Sequence, residues 1–501
     1  MSHVDRSRRN RGLSLALAAA AFGGILALPV PTGLDPIGLR VLAMTAAMAI
    51  LWVTEALPIP VTSLLPLIGF PFLGILSSDG VAREYTNDLI FLFFGGFFLA
   101  LTLERWNVHR RIALRVMSAF GTRPAAIVAG VMTAVAVLSM WISNTATSLM
   151  MLPICVALAE QLEEQGVDPK HVQRFTVALL LGLCYSANIG GMGTPIGTGP
   201  NGIFMRQFVG AGQPSFAQWM AFGLPLVFAF LLVAWFLLAR VLFRFPADLS
   251  FGERDVVRRK LREMGPMRAE ERATLAVFVI TVLLWITRRD VGPIPGWATA
   301  LQGLGFTWIE AKASTGVGDS AVAILAVVAL CFWRVGPERR PLADWGVAER
   351  VPWGMLLLLG GGFSIARAFD VHGAEGASLS TWLGDRLGGL SDGSPLVVLP
   401  SVALSVSFMT EFTSNTATTS VVVPILAQVG TAEIGRILAL CAALSASCAF
   451  MFPVATPPNA IVFASGRIRI RQMMFAGIWL NLVGGALIPL AVWFIARFVL
   501  P

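Results

Sequence analysis

The sequence is poor in charge and almost without tyrosine: charged residues make up 13% of its 501 residues, and only two are Tyr. A soluble protein would carry about 25% charged residues. Hydrophobic residues make up 56%, and the mean hydropathy is +0.75. Several apolar runs reach the ~20 residues that cross a bilayer. These features exclude a soluble domain and predict an all-α polytopic membrane protein embedded in lipid.

Histidine, lysine and cysteine are scarce and poorly placed for catalysis. The four histidines lie outside the interrupted apolar segments described below, and the few lysines fall in loops. A serine nucleophile would therefore lack a positioned base, so the sequence predicts no enzyme. The five cysteines lie in apolar segments without metal-ligand spacing, and we interpret them as small hydrophobic residues.

The net charge of +8 does not predict nucleic-acid binding, because the basic residues fall in loops between apolar spans. A basic N-terminal tail without a cleavable signal predicts an uncleaved first helix within residues 1–37. The sequence predicts about eleven transmembrane helices, the third at 61–76. The N-terminus would be cytoplasmic and the C-terminus periplasmic or extracellular, as in a bacterial inner-membrane protein. This sidedness places four basic loops in the cytoplasm: 105–123, 244–272, 334–350 and 467–471.

The polar pentapeptide Ser-Asn-Thr-Ala-Thr occurs twice in hydrophobic surroundings, at 143–147 and 414–418. A Gly-Gly-Phe precedes each copy and a Pro-Asn follows each copy, in the same order. We therefore expect two inverted repeats, at 38–245 and 273–501, joined by a basic cytoplasmic linker at 246–272. Each repeat would hold a re-entrant hairpin and a broken helix, at about 123–160 and 173–210, and at about 394–430 and 433–466. Counting each hairpin as two ordinary spans gives the same sidedness, so the basic loops do not decide between these topologies.

Non-helical backbone is tolerated at membrane depth only where it is buried in protein or lines a cavity. The two pentapeptides and the two breaks offer free carbonyl and hydroxyl oxygens, which suit Na⁺, and free N–H groups, which suit an anion. Interrupted helices in inverted repeats are typical of secondary transporters, whereas a channel usually surrounds a symmetric axial pore. Arg367 is the one arginine clearly within an apolar span of the second half, so a dianion would need more than one Na⁺. Glu411 fits either a proton site or a structural carboxylate.

Three motifs together resemble the divalent-anion/sodium symporter family: the paired Ser-Asn-Thr, Glu-Ala-Leu-Pro-Ile-Pro-Val-Thr at 55–62, and Pro-Val-Ala-Thr-Pro-Pro-Asn-Ala at 453–460. The resemblance implies a homodimer with a scaffold domain and an elevator-type transport domain. It also implies Na⁺-coupled import of a C4-dicarboxylate such as succinate, malate or fumarate. A Na⁺-independent dicarboxylate exchanger and a Na⁺-coupled sulfate or citrate transporter remain alternatives.

The resemblance further implies the site residues. The first Na⁺ would be bound by Ser139, Ser143, Asn144, Gly191 and Gly193. The second would be bound by Thr410, Thr413, Asn415 and Ala455. The substrate carboxylates would meet Asn144, Thr145, Thr198, Asn415, Thr416 and Thr456. Two positions depart from the family pattern: Thr413 stands where relatives can carry Ala, and Gly199 replaces the first proline of the more usual Pro-Pro-Asn.

Overall fold

The computed structural model describes residues 3–208, 212–246, 256–290, 295–306, 317–336, 339–390 and 392–496, with side chains from residue 11 onward. Within these ranges the structure is helical, apart from one short antiparallel pair of strands, β1 (Arg334–Val335) and β2 (Arg340–Pro341). The prediction of an all-α polytopic membrane protein is therefore confirmed for the described part of the chain.

The N-terminal part places a series of helices before the first pentapeptide. They are α1 (His3–Leu26), α2 (Pro36–Thr54), α3 (Ile59–Thr62), α4 (Leu65–Phe72), α5 (Ser78–Ala82) with a 3-10 turn (Arg83–Tyr85), α6 (Asp88–Arg105) and α7 (Val108–Ser118).

The single span expected at 61–76 is instead two short helices, α3 and α4. Pro66 has no N–H to donate to the Thr62 carbonyl, which interrupts the helical ladder between them. Ser63 stabilises the junction, since its Oγ accepts from Trp52 Nε1 at 3.1 Å and donates to the Ile59 carbonyl at 2.8 Å. The expectation of one continuous helix is wrong here because it ignored this proline.

The first pentapeptide begins the second arm of a helical hairpin. The helices in this part are α8 (Pro124–Ser139), α9 (Asn144–Glu164), α10 (Pro169–Gly191), α11 (Gly199–Gln207) and α12 (Phe216–Phe236), which continues as a π-helical turn (Leu237–Leu242). Residues 192–198 separate α10 from α11.

The middle of the chain contains short helices that the hydropathy profile does not predict. They include α13 within the segment expected to be a basic linker, where Val256 and Val257 are buried while the basic residues beside them remain partly or fully exposed. Residues 247–255 of that linker lie outside the described residues. The helices here are α13 (Val256–Glu263), α14 (Ala269–Ile286), α15 (Trp297–Gly303), α16 (Asp319–Phe332) and α17 (Trp345–Glu349).

The last part follows the same order of elements as the part around the first pentapeptide: a glycine-containing helix, a hairpin, an interrupted helix and a long apolar helix. Its helices are α18 (Trp353–Phe369), α19 (Leu379–Arg386) with a 3-10 turn (Gly388–Leu390), α20 (Pro395–Thr410), α21 (Asn415–Leu426), α22 (Ala432–Ser445), α23 (Pro457–Ala464) and α24 (Ile470–Ala491), which continues as a π-helical turn (Val492–Ala496).

Six described helical stretches are long and apolar enough to cross a membrane, so the chain is a multi-pass membrane protein. They are Pro36–Thr54, Ser78–Arg105, Asn144–Glu164, Pro169–Gly191, Phe216–Leu242 and Ile470–Ala496. Outer helices such as α12 carry exposed apolar side chains, among them Phe228 at 71% exposure. In contrast, the two segments that lead into the breaks, 175–196 and 437–450, are buried at every residue. The breaks therefore lie in the protein interior.

Buried ion pairs fasten the helices at their ends. Each pair joins elements that are distant in sequence: Arg111 and Glu271 (2.7 Å), Arg206 and Glu84 (2.7 Å), and Arg288 and Asp319 (2.5 Å). At the exposed end of α6, the hydrogen bond from Arg105 to Asp344 (2.7 Å) lowers the pKa of that carboxyl group. These ion pairs thus join helices that are far apart in the sequence, away from the tips and breaks.

Candidate functional site

Each pentapeptide forms the tip of a hairpin and begins a helix. Ser143 is the N-cap of α9, where its Oγ accepts from the Ala146 N–H at 3.2 Å. Ser414 is the N-cap of α21 and accepts from the Ala417 N–H at 3.5 Å. The Asn and Thr that follow each serine occupy the first helical turn, where backbone N–H groups have no partner within the helix. Each tip therefore presents a helix N-terminus, which favours an anion.

Each break is held closed by the asparagine of the helix that follows it. Asn201 Nδ2 donates to the carbonyls of Gly191 (3.0 Å) and Thr194 (2.8 Å). Asn459 Nδ2 donates to the carbonyls of Ala449 (3.1 Å) and Phe452 (3.0 Å). In both halves the carbonyls come from residues ten and seven positions before the asparagine. The sequence marked these asparagines only as recurring positions, and their structural role was missed.

The first tip and the first break lie against each other. Thr194 Oγ1 donates to the Met140 carbonyl at 2.5 Å. A methyl group at Gly191 would lie 3.4 Å from Asn144 Oδ1 and 3.3 Å from Thr198 Cβ, and one at Gly193 would lie 3.1 Å from Met140 Cγ. The structure thus brings together the two parts of the chain that supply the residues expected at the first Na⁺.

The second tip and the second break are joined by a carboxylate. Glu411 is fully buried, and its two oxygens accept from the backbone N–H groups of Phe450, Met451 and Phe452 at 2.7–3.1 Å. Asn481 Nδ2 of α24 donates to the same carboxylate at 2.8 Å. Of the two sequence interpretations of Glu411, these contacts fit the structural carboxylate.

The residues expected at the second Na⁺ lie around this joint. Thr410 Oγ1 donates to the Ser407 carbonyl at 3.0 Å and keeps its own oxygen lone pairs free for another partner. Thr413 Oγ1 bonds within the hairpin, to the Met409 carbonyl (2.9 Å) and to Thr418 Oγ1 (2.6 Å). Its backbone carbonyl is therefore the group that it can offer to a cation. Ala455 is buried in the second break.

Several oxygens around the tips and breaks are buried without a hydrogen-bond partner in the protein. Leaving such an atom unpaired costs about 1–3 kcal/mol, so each one in a folded protein needs an explanation. Three of them belong to residues expected to bind Na⁺, and the others lie on the adjoining helices. They are Ser139 Oγ, Asn144 Oδ1 and Asn415 Oδ1, together with Thr147 Oγ1, Ser148 Oγ, Asn201 Oδ1, Ser445 Oγ, Ser447 Oγ and Asn459 Oδ1. Neutral oxygens of this kind suit a hard monovalent cation.

Helices of the first half pack against helices of the second half at the site. Helix α9 packs on α23, and α11 packs on α21. Gly199, the first residue of α11, lies so close to Thr416 that a side chain there would overlap the Thr416 hydroxyl. The departure from Pro-Pro-Asn noted at Gly199 thus makes room for Thr416, a residue expected to bind substrate.

The residues expected to bind substrate all lie at the N-termini of these four helices. Asn144 and Thr145 start α9, Thr198 caps α11, Asn415 and Thr416 start α21, and Thr456 caps α23. Arg367 instead lies exposed in the last turn of α18. An anion at the four N-termini would therefore be held by neutral donors and helix dipoles.

Interrupted helices that meet inside a bundle, around paired tips rich in neutral oxygens, define a polytopic membrane transporter. The chain belongs to the family described as the sodium:sulfate symporter transmembrane region, whose model matches residues 9–499. It is a transporter and not an enzyme, with Na⁺ as its coupling ion.

Two staphylococcal relatives are similar over most of their length. The chain is 39% identical to a sodium-dependent dicarboxylate transporter, SdcS, of Staphylococcus saprophyticus, over 97% of this chain and 92% of the relative. It is also 39% identical to a transporter of the same name from Staphylococcus aureus strain MRSA252, over 92% of this chain and 87% of the relative.

Proposed function

We propose that this protein imports C4-dicarboxylates such as succinate, malate and fumarate together with two or more Na⁺ ions. The observation that carries the proposal is the paired arrangement of tips, each of which presents a helix N-terminus and an asparagine oxygen, Asn144 Oδ1 or Asn415 Oδ1, that lacks a protein partner. The staphylococcal relatives, which are sodium-dependent dicarboxylate transporters by name, support the choice of substrate class.

The proposed ion sites follow the two joints between tip and break. One Na⁺ lies where the first tip meets the first break, bound by Ser139, Ser143, Asn144, Gly191 and Gly193. The other lies at the second joint, bound by Thr410, Thr413, Asn415 and Ala455. The unpaired oxygens of Ser139, Asn144 and Asn415 support these assignments.

The dicarboxylate lies between the two ions, at the four helix N-termini. Its carboxylates receive hydrogen bonds from Asn144, Thr145, Thr198, Asn415, Thr416 and Thr456. Because no arginine contributes to this set, the charge of the dianion is offset by the Na⁺ ions and the helix dipoles. Binding of the anion and of Na⁺ is therefore mutually dependent, which is the physical basis of coupling.

The proposed architecture has two inverted repeats, 38–245 and 273–501, with about eleven crossings and two re-entrant hairpins. The lengths of several hairpin arms support re-entrance. At 1.5 Å per residue, α8 (16 residues) is about 24 Å long and α21 (12 residues) about 18 Å, less than the ~30 Å of hydrocarbon. The basic loops support a cytoplasmic N-terminus and a periplasmic C-terminus in a bacterial inner membrane.

Movement is proposed to occur as an elevator in a homodimer, with the hairpins and interrupted helices as the mobile part. The apolar cores support this division. The hairpins, α10–α12 and α22–α24 share one core, to which parts of α6, α7, α13, α14, α16 and α18 also contribute. In contrast, α2, α4 and part of α18 are centred on another core, which Ala417 of α21 joins. A further core holds parts of α6, α14, α16 and α17.

The test is uptake of radiolabelled succinate into proteoliposomes, with an inward gradient of Na⁺ or of choline. We expect uptake only with Na⁺, and competition by unlabelled malate and fumarate that exceeds competition by citrate or sulfate. Uptake that is unchanged in choline and requires succinate inside the vesicle would contradict symport and indicate an exchanger. Strong inhibition by sulfate or citrate alone would contradict the assigned substrate class.

A further inference from the structure

Asn188 makes a contact that crosses between the two halves of the chain. It lies in α10, one turn before the first break, and its side chain is almost fully buried, at 2% exposure. Its Nδ2 donates to Thr456 Oγ1 at 3.2 Å and to the Ala449 carbonyl at 3.4 Å. Both partners belong to the second break, so a residue of the first half reaches into the second half of the site.

This contact determines the orientation of the Thr456 hydroxyl group. Its oxygen accepts from Asn188 Nδ2 and, as the N-cap of α23, from the Asn459 N–H at 3.4 Å. A hydroxyl has two acceptor lone pairs and one hydrogen. With both lone pairs occupied, the hydrogen remains to be donated, and no described residue accepts it. Thr456 is therefore arranged as a hydrogen-bond donor at a helix N-terminus.

The first half has no equivalent contact among the described residues. Asn188 lies 13 residues before Asn201, and the position 13 residues before Asn459 is Ala446, whose side chain cannot donate. Thr198, which corresponds to Thr456, makes no side-chain cap bond at α11. The asparagines that close the breaks are thus shared by both halves, whereas the link through Asn188 belongs to one half alone.

We propose that Asn188 is a positioning residue for substrate binding: it holds the Thr456 hydroxyl so that its hydrogen points to a carboxylate of the bound anion. The inference rests on the proposed function, in which Thr456 contacts the substrate. Asn188 also lies three residues from Gly191, whose carbonyl is bound by Asn201 at 3.0 Å. Helix α10, which leads into the first ion site, thereby orients the Thr456 hydroxyl that donates to the anion in the other half.

The test replaces Asn188 with leucine, which has a similar shape but cannot donate. In Na⁺-driven succinate uptake, Asn188→Leu should raise the KM for succinate about tenfold, the change expected from one lost oriented hydrogen bond. The maximal rate should stay close to that of the wild type. The control is Ser186→Ala on the same helix, because Ser186 bonds only within α10, to the Gly182 and Leu183 carbonyls. This variant should leave the KM unchanged.

A double-variant cycle separates positioning from general destabilisation. Thr456→Ala should itself raise the KM, and adding Asn188→Leu to it should cause no further rise, since the oriented hydroxyl is already gone. A KM for Asn188→Leu equal to that of Ser186→Ala would overturn the proposal. The proposal would also be overturned if Asn188→Leu raised the KM equally in the wild type and in the Thr456→Ala variant.

Two further measurements keep the outcome decisive. If Asn188→Leu does not fold, Asn188→Ser replaces it, because the shorter serine side chain cannot reach the Thr456 hydroxyl. The readout is then the shift in Tm that succinate produces in detergent, instead of uptake. That shift should shrink for Asn188→Ser and stay unchanged for Ser186→Ala, and an undiminished shift would overturn the proposal. Failure of the wild-type protein to take up succinate would instead reject the proposed function, and the same KM comparison would then use the anion that it does carry.

Discussion

The first and second breaks are closed in the same way but attached to their hairpin tips differently. Asn201 and Asn459 bind carbonyls at matching positions in the two halves. The first tip is joined to its break by a single hydroxyl, since Thr194 donates to the Met140 carbonyl. The second tip is joined by Glu411, whose carboxylate accepts from three N–H groups and from Asn481.

The asparagines that close the breaks are common to both halves, whereas the contact between tip and break is specific to each ion site. The shared asparagines satisfy the carbonyls that each interruption leaves without helical partners. A charged acceptor with four donors stabilises more than one neutral hydrogen bond does. We therefore expect the second joint to be the more tightly held of the two, so variants that break the two joints should lower stability unequally, whereas variants of the shared asparagines should lower it equally.

The largest expected effect is at Glu411. Glu411→Ala leaves three backbone N–H groups and the buried Asn481 amide without an acceptor and should lower the free energy of unfolding by at least about 3 kcal/mol. Glu411→Gln should be intermediate, because its amide keeps one acceptor oxygen. The measurement is thermal unfolding of the purified protein in detergent.

The matched control for Glu411 is Met140→Leu, because each residue lies three positions before the serine of its pentapeptide and leucine keeps the volume of the buried Met140 side chain. This variant keeps the backbone carbonyl that Thr194 binds, so the tie between first tip and first break should survive. A Glu411→Gln protein as stable as the wild type, but with a changed pH dependence of uptake, would contradict the structural role and favour a proton site.

The next largest loss of stability is expected at the asparagines that close the breaks, and it should be equal in the two halves. Asn201→Ala and Asn459→Ala each remove two hydrogen bonds to buried carbonyls and should each lower the free energy of unfolding by about 2 kcal/mol. Denaturant unfolding of the two variants in the same detergent checks this. A large loss in one variant and none in the other would show that the two breaks are not held in the same way.

A smaller effect is expected at Gly199, where the halves differ again. A methyl group there would displace the Thr416 hydroxyl, so Gly199→Ala should raise the KM for succinate about tenfold, or about 1.4 kcal/mol. Gly121→Ala is the control, since nothing lies within 4 Å of a methyl group at that position. At the matching position of the second half, Pro457→Ala removes atoms rather than adding them and should change the KM less. An unchanged KM for Gly199→Ala would contradict the assignment of Thr416 to the substrate site.

The smallest effect is expected at Thr194. Thr194→Val keeps the shape of the side chain but loses the hydroxyl that donates to Met140, and should cost about 1 kcal/mol of stability. Thermal unfolding with and without Na⁺ measures it. A loss as large as that for Glu411→Ala would contradict the unequal strength of the two joints.

The hairpins and breaks could be predicted from the sequence because they are local features. The pentapeptides mark the starts of α9 and α21, the glycine-rich run coincides with the end of α10, and the proline-rich run of the second half leads into the start of α23. The ties between them could not be predicted, since Glu411 reaches residues about 40 positions away and Asn188 reaches Thr456 over 268. Short helices such as α13 were missed because they are too brief and too charged to appear as apolar spans.

The central claim is that the two tips, although about 270 residues apart in sequence, form one Na⁺-coupled anion site. Uptake of radiolabelled succinate under an inward Na⁺ gradient, measured for Asn144→Ala and Asn415→Ala beside the wild type, tests it most directly. We predict that each single variant folds, as judged by its elution in size-exclusion chromatography, and that each loses uptake. Uptake retained at the wild-type level in both variants would contradict the claim.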